Sequence, residues 1–190
     1  MHTPRKILAF AASNNSNSIN KRLAEHAAEV FKAEIAPDSE IETIDLNDFE
    51  MPIYSPDREL AGGVPAEARA FFDKIGAADA VIVSFAEHNG SYTSAFKNVF
   101  DWASRIDMGI YQNKPVVMLA TSPGPRGGTN VLGTATATAP FFGADLRGSL
   151  AIGSYFDKVD AETGIVTSPD EAAALRSALS GLTQEQVAAA

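Results

Sequence analysis

Three stretches of the chain are apolar almost without a break: Lys6 to Ala12 (KILAFAA), Ala80 to Phe85 (AVIVSF) and Lys114 to Thr121 (KPVVMLAT). Short runs with no alternation, rich in β-branched residues, predict strands buried on both faces of a parallel sheet. Glu40 to Leu46 (EIETIDL) alternates instead, as a half-buried edge strand does. Leu150 to Ile152, within DLRGSLAIG, completes a set of five strands. Between them the apolar positions recur at helical spacing. They do so at Leu23, Ala27, Val30 and Phe31; at Ala68, Phe71, Phe72 and Ile75 behind Pro65; and from Tyr92 onward at Ala95, Phe96, Val99, Phe100 and Ala103. Pro169 to Val187 reads as a last amphipathic helix with Ser168 as its cap, followed by an Ala-rich tail that frays. Strand and helix therefore alternate, which with right-handed crossovers gives a doubly wound α/β sheet.

The unbroken strands all end in polar loops. KILAFAA runs into SNNSNSIN, in which every residue of Ser13 to Asn20 except Ile19 carries a hydroxyl or an amide. AVIVSF ends in Glu87, His88, Asn89, Gly90 and Ser91, and KPVVMLAT opens into SPGPRGGTN, too rich in Pro and Gly for a helix. Loops that follow parallel strands share the carboxyl edge of the sheet, where open α/β sheets bind ligands and helix N-termini offer free N–H groups. The first loop reads in two ways, as a capped strand-to-helix turn or as a phosphate cradle without basic residues. The segment after Leu46, NDFEMPIYSPDRELAGGVP, reads as a long surface loop, a length that is often functional. Thr129 to Gly143 (TNVLGTATATAPFFG) has no charge at all, unlike an ordinary surface helix, and a subunit interface would cover it.

At 190 residues the chain is expected to form a single domain, 1–190. It has no cysteine, so disulfides, thiolate catalysis and Cys-ligated metal are excluded, and any redox chemistry must come from a cofactor. A net charge of −9 with no Lys/Arg cluster argues against nucleic acid and anionic membranes as partners. No run approaches the roughly 18 to 20 apolar residues of a membrane span, and MHTPRKILAF lacks the pattern of a signal peptide, so a cytoplasmic protein is expected. Of the three histidines, His2 lies in the terminus, His26 is placed on the exposed face of the first helix, and His88 alone falls in a candidate loop; no metal site is expected. No G-x-S-x-G marks a hydrolase nucleophile.

The stretch FAEHNGSYTSAFKNVFDWAS resembles the loop and helix of the NADPH-dependent FMN reductases, the flavodoxin-like quinone, azo-dye and chromate reductases, written P-E-Y-N-G-S followed by L-K-N-x-x-D-W. Glu87, Asn89, Gly90, Ser91, Lys97, Asn98, Asp101 and Trp102 match in register; Ala86 stands for the Pro and His88 for the Tyr. Ser13, Ser18 and Asn20 fall on the Ser, Ser and Asn of the family's phosphate loop G-S-x-R-x-x-S-x-N, whereas Ala12 and Asn15 replace its Gly and Arg. Losing that Arg removes a charge-assisted contact and leaves NADPH over NADH preference open. Met51, Pro52 and Tyr54 are similar to its L-P-x-Y-D loop, which in relatives lies near the cofactor edge and the partner subunit.

What the resemblance implies is a flavodoxin-like sheet of order 2-1-3-4-5 in three layers. It also implies an FMN cofactor, NADPH or NADH as co-substrate, a quinone or similar small-molecule acceptor, and a homodimer or homotetramer. FMN would be bound by Ser13, Ser18, Ile19, Asn20, Glu87, His88, Asn89, Gly90, Ser91, Ser122, Gly124, Gly127 and Gly128, with Arg126 a solvated loop residue. The flavin carries the chemistry in such proteins, so no catalytic side chain is expected. Glu87 is read as orienting backbone or pairing across an interface rather than as a base, and Phe96, Phe100 and Trp102 as core or interface. Two further readings stand beside this one. A flavodoxin-type electron carrier would need a T-x-T-G-x-T phosphate loop, which is absent, and a catalytically silent FMN-binding protein fits the changes at Ala12, Asn15 and His88.

Overall fold

The computed structural model describes residues 5–183. In chain order it runs through β1 (Lys6–Ala12), α1 (Ile19–Val30), β2 (Glu40–Ile44), α2 (Pro56–Gly62), α3 (Ala66–Ala77), β3 (Ala80–Phe85), α4 (Ser94–Ala103), β4 (Pro115–Thr121), α5 (Thr129–Thr138), β5 (Asp145–Ile152), α6 (Tyr155–Lys158) and α7 (Pro169–Ser180). All strand pairs are parallel, and the described strands form one sheet in the order β2-β1-β3-β4-β5. Successive side chains of a strand point to opposite faces, so each unbroken apolar run feeds two cores. Leu8, Phe10, Val81, Val83, Phe85, Val116 and Met118 meet Phe71 and Ile75 of α3 and Phe96, Val99 and Trp102 of α4. Ile7, Ala9, Ile82, Val117 and Leu119 meet Leu23 and Ala27 of α1 and Leu175 and Leu179 of α7 on the opposite face.

The structure extends or trims several expectations. β2 stops at Ile44, because Asp45 turns the chain: its carboxylate accepts from the Asn47 N–H at 3.0 Å and pairs with Lys21 at 2.7 Å, and Leu46–Phe49 coils into a 3₁₀ turn. β4 begins at Pro115 rather than Lys114, and α4 at Ser94 rather than Tyr92, with Thr93 as its cap. The Thr93 hydroxyl accepts from the Phe96 N–H at 3.1 Å and donates to the Ala12 carbonyl at 3.0 Å, fastening α4 to the end of β1. β5 is longer than Leu150 to Ile152 suggested. It runs from Asp145 through a register shift against β4 at Val116/Val117, and its half-covered edge position hides the apolar run that marks the inner strands. Ser168 holds the N-cap position of α7, but its hydroxyl donates to the Glu171 carboxylate instead of capping the helix backbone. The last helix is shorter than expected: it stops at Ser180, and Gly181–Thr183 tightens into a 3₁₀ turn; the stretch from there to Val187, the fraying tail and His2 lie outside the described residues.

The long segment after Leu46 is less of a loop than its prolines and glycines suggest. Leu46, Phe49 and Met51 are buried, and Ser55 caps α2, whose residues bury nothing, which is why no periodicity betrayed it. His26 corrects another expectation: it is half-buried, not on an open face. Burial lowers its pKa from the ordinary value of 6.5, with Arg176 adding to the effect and Glu34 opposing it. Because the unfolded chain binds this proton more readily, the contribution of His26 to stability is fully present above pH 6.5 and is lost as pH falls through the lower folded-state value. The stability difference between the wild type and His26→Gln is expected to stay constant above pH 6.5 and to shift against the wild type as pH falls below it, with the variant the less pH-sensitive. Parallel curves across the window would refute the assignment.

Candidate functional site

The loops after β1, β3 and β4 meet at the carboxyl edge of the sheet, where the strand order reverses between β1 and β3. In the first, the polar side chains are spent largely on shaping the loop. The Asn15 N–H donates to Ser13 Oγ at 3.2 Å, the Asn17 N–H to Asn15 Oδ1 at 2.9 Å, and the Ser18 N–H to the Asn15 carbonyl at 3.1 Å. Ser18 Oγ then caps α1 by accepting from the Lys21 N–H at 3.3 Å. Ile19 and Asn20 open the helix, so their backbone N–H groups have no acceptor within it and form the positive end of its dipole.

The Asn20 side chain does something the sequence did not disclose. Only 2% exposed, its Oδ1 accepts from Ser84 Oγ at 2.8 Å and from the Thr121 N–H at 3.0 Å, while Nδ2 donates to the Thr121 carbonyl at 3.1 Å. One carboxamide thus joins α1 to β3 and β4. What Asn20 offers a ligand is its backbone N–H.

In the second loop Asn89 and Gly90 have φ of 53° and 77°, and His88 and Ser91 exchange backbone hydrogen bonds at 3.0 and 3.1 Å. This is a tight turn with both central residues left-handed, for which Asn-Gly is the favoured pair. It holds His88 to Ser91 exposed. Glu87 reaches sideways. Its Oε2 accepts from the Asn130 and Val131 N–H groups, each at 3.0 Å, so the carboxylate sits on the N-terminus of α5 and orients backbone rather than serving as a base.

The third loop is locked to the end of β5. The Ser154 N–H donates to the Gly124 carbonyl at 2.9 Å and the Tyr155 N–H to the Ser122 carbonyl at 3.2 Å. Gly127 and Gly128 have φ of 60° and 79°, and a Cβ on Gly127 would lie 2.6 Å from both Ile152 C and Gly153 N. The protein's own backbone therefore demands glycine at 127. At Gly124, by contrast, a Cβ would meet nothing within 4 Å.

A cleft of about 260 Å³ opens between the three loops. It gathers Ser13, Ser18, Ile19, Asn20, Glu87, His88 and Ser122 of the residues expected to bind, together with Asn15, Asn17, Ala86, Thr121 and Pro123. Asn89, Gly90, Ser91, Gly124, Gly127 and Gly128 are not in its wall. In the sequence Thr121 is a strand end and Pro123 a loop breaker, and only their adjacency to Ser122 marks them. Among the described residues Glu87 is the only acid lining the cleft, and its charge is engaged by α5. What remains is a neutral donor set of hydroxyls, amides and helix N–H groups, which suits a phosphate-bearing ligand. Among the described residues no group of His, Asp or Glu is placed to hold a metal ion, and no helix is long and apolar enough to cross a membrane.

The second half of the α4 motif builds scaffold. Asn98 Nδ2 donates to the Met51 carbonyl at 3.1 Å and its Oδ1 accepts from the Tyr54 N–H at 2.8 Å; Trp102 Nε1 donates to the Pro52 carbonyl at 2.7 Å. The Tyr54 and Trp102 rings meet edge to face with centroids 5.0 Å apart. Lys97 and Asp101 pair along the helix at 2.6 Å. These contacts fix Met51 to Tyr54 against α4.

A family model described as NADPH-dependent FMN reductase matches residues 5–157. An NADPH:quinone oxidoreductase of Arabidopsis thaliana is 32% identical over 123 residues, covering 65% of this chain and 61% of that protein. An NAD(P)H-dependent FMN reductase of Pseudomonas aeruginosa is 33% identical over 122 residues, covering 64% and 62%. In both cases the matched stretch spans less than two thirds of the relative. Among solved structures, the flavoenzyme NAD(P)H:(acceptor) oxidoreductase FerB of Paracoccus denitrificans superposes with a TM-score of 0.74 over 94% of each chain at 22% identity, a likeness of fold.

Proposed function

Because the chain belongs to the NADPH-dependent FMN reductase family, we propose that it is an FMN-dependent oxidoreductase that draws electrons from NADPH or NADH and passes them to a quinone or similar small acceptor. The observation that carries this reading is the cleft at the β1/β3 switch, floored by the first N–H groups of α1 and walled by neutral donors. The names of the relatives, a quinone oxidoreductase and an FMN reductase, support the choice of donor and acceptor.

Held there, FMN would supply the redox chemistry that links the nicotinamide to the acceptor. The chain's work is to bind and orient. The phosphate falls to Ser13, Ser18, Ile19 and Asn20, with the Ile19 and Asn20 N–H groups as donors and the side chains of Ser13, Ser18 and Asn20 holding those groups in place. The ring falls to Glu87, His88, Asn89, Gly90 and Ser91 on one side and to Ser122, Gly124, Gly127 and Gly128 on the other. There Glu87 positions the loop through α5, the Asn89–Gly90 turn presents His88, and Gly127 and Gly128 let the third loop fold flat against β5. No side-chain acid or base is assigned, since the carboxylate lining the cleft is already engaged.

The protein is read as one domain, 1–190, acting in the cytoplasm as a homodimer or homotetramer. The uncharged outer side of α5 and its extension, where Gly133, Thr134 and Ala137 are exposed and Phe141 is 71% exposed, supports an interface there. An absorbance spectrum of the purified protein tests the central claim: a flavin spectrum that bleaches with NADPH under anaerobic conditions and returns on adding a quinone is expected. Protein that stays colourless with added FMN would overturn it, and bound flavin that NADPH and NADH both fail to bleach would leave a binding protein or carrier in its place.

A further inference from the structure

The phosphate loop of this chain has Asn15 where the family pattern has an arginine, and the net charge of −9 makes an unassisted dianion site unfavourable. Two cations stand in the first turns of α1. Lys21 is neutralised, its ammonium 2.7 Å from the Asp45 carboxylate, a hydrogen bond that raises the Lys21 pKa and lowers that of Asp45. Arg22 is different. Its side chain runs back toward the helix N-terminus, as helical side chains do, and Nη2 donates to Asn17 Oδ1 at 2.5 Å, in the wall of the cleft. Among the described residues no carboxylate pairs with it.

The stem of Arg22 is covered while its head reaches solvent. Gly164, at φ of 75°, lies so close that a Cβ there would stand 2.8 Å from Arg22 Cβ and 2.9 Å from its carbonyl oxygen. The strand-like bridge between Val159 and Val166 closes this short excursion over the helix. Tyr155, fully buried, has a hydroxyl with no hydrogen bond of ordinary geometry, yet it is near enough to Arg22 for the guanidinium to oppose the rise in pKa that burial causes. Gly164 and the bridge both fall after residue 157, where the family match ends.

We propose that Arg22, hydrogen-bonded to Asn17 at the rim of the Ser13–Asn20 loop and packed through its stem against Gly164, supplies the cation that contacts the phosphate of the bound mononucleotide in place of the arginine replaced by Asn15. Releasing Asn17 and turning toward the loop exchanges a neutral acceptor for a dianionic one, and Arg can meet phosphate oxygens through two parallel N–H groups. The inference rests on the FMN reading above and assigns the charge that reading lacks.

Binding to the flavin-free protein, followed by quenching of flavin fluorescence, tests it with FMN and with riboflavin, which has no phosphate. Arg22→Gln is expected to weaken FMN roughly 10- to 100-fold, the range of a lost charged hydrogen bond, and to leave riboflavin within about twofold of wild type on the same criterion. Arg22→Lys, which keeps the charge without the fork, should recover part of the loss. FMN affinity unchanged in Arg22→Gln would overturn the assignment, as would equal weakening of both ligands, which would mark a structural effect. Wild-type protein that binds neither flavin would instead remove the FMN reading itself.

Discussion

Asn20→Ala is expected to cost about 3 kcal/mol of stability or more in the protein without flavin, because it strands three buried groups at once. Ser84 Oγ loses its acceptor, the Thr121 N–H loses its acceptor and the Thr121 carbonyl loses its donor, at residues 0% and 1% exposed. Each unsatisfied buried group carries a penalty of roughly 1 to 3 kcal/mol, and water entering from the cleft would offset part of the sum. Urea unfolding of the apo-protein should show the midpoint displaced with the slope preserved. The choice of apo-protein matters: a residue whose side chain served only to hold phosphate would leave this curve where it was. A shift below about 1 kcal/mol would mean that solvent replaces the carboxamide, and the central tie between α1, β3 and β4 would lose its meaning.

The second large effect is expected at Gly153→Ala. A Cβ there would stand 2.1 Å from the Pro125 carbonyl oxygen and 2.6 Å from its carbon, so backbone rather than a pliable side chain must yield. Overpacking of this kind costs typically 1 to 3 kcal/mol and sometimes more. The displaced element is the loop from Ser122 to Gly128, whose bonds from the Ser154 and Tyr155 N–H groups to the Gly124 and Ser122 carbonyls would open together. Thermal unfolding should therefore show a loss of stability. Protein that survives should also bind both FMN and riboflavin more weakly, because the loop serves the ring rather than the phosphate. Selective loss of FMN alone would contradict that division of labour.

Legibility of the sequence followed the range of the interaction responsible. β1, β3 and β4 could be read directly, since burial on both faces demands an apolar residue at every position. β5 could be read only at its end, because Asp145 to Ser149 lie along a half-covered margin where that demand lapses. The order of the strands came from the resemblance and not from periodicity. The three loops were visible as polar gaps, but their inner logic was not. An asparagine that faces a ligand and one that faces the sheet are the same letter, and Asn20 turned out to face the sheet. Glu87 finds its partners 43 and 44 residues away, and the reason for Gly127 lies at Ile152 and Gly153. Local spacing has no access to pairings of that reach.

Among the described residues β2 has no neighbouring strand on its outer flank, and its side chains at Glu40 and Glu42 are exposed there, the latter paired with Lys74. A flank of free peptide groups is a template on which a second molecule could polymerise. Exposed charged side chains along that margin make strand-to-strand stacking of two copies unfavourable, so removing the charge there, as in Glu40→Val, is expected to raise the tendency of copies to associate edge to edge.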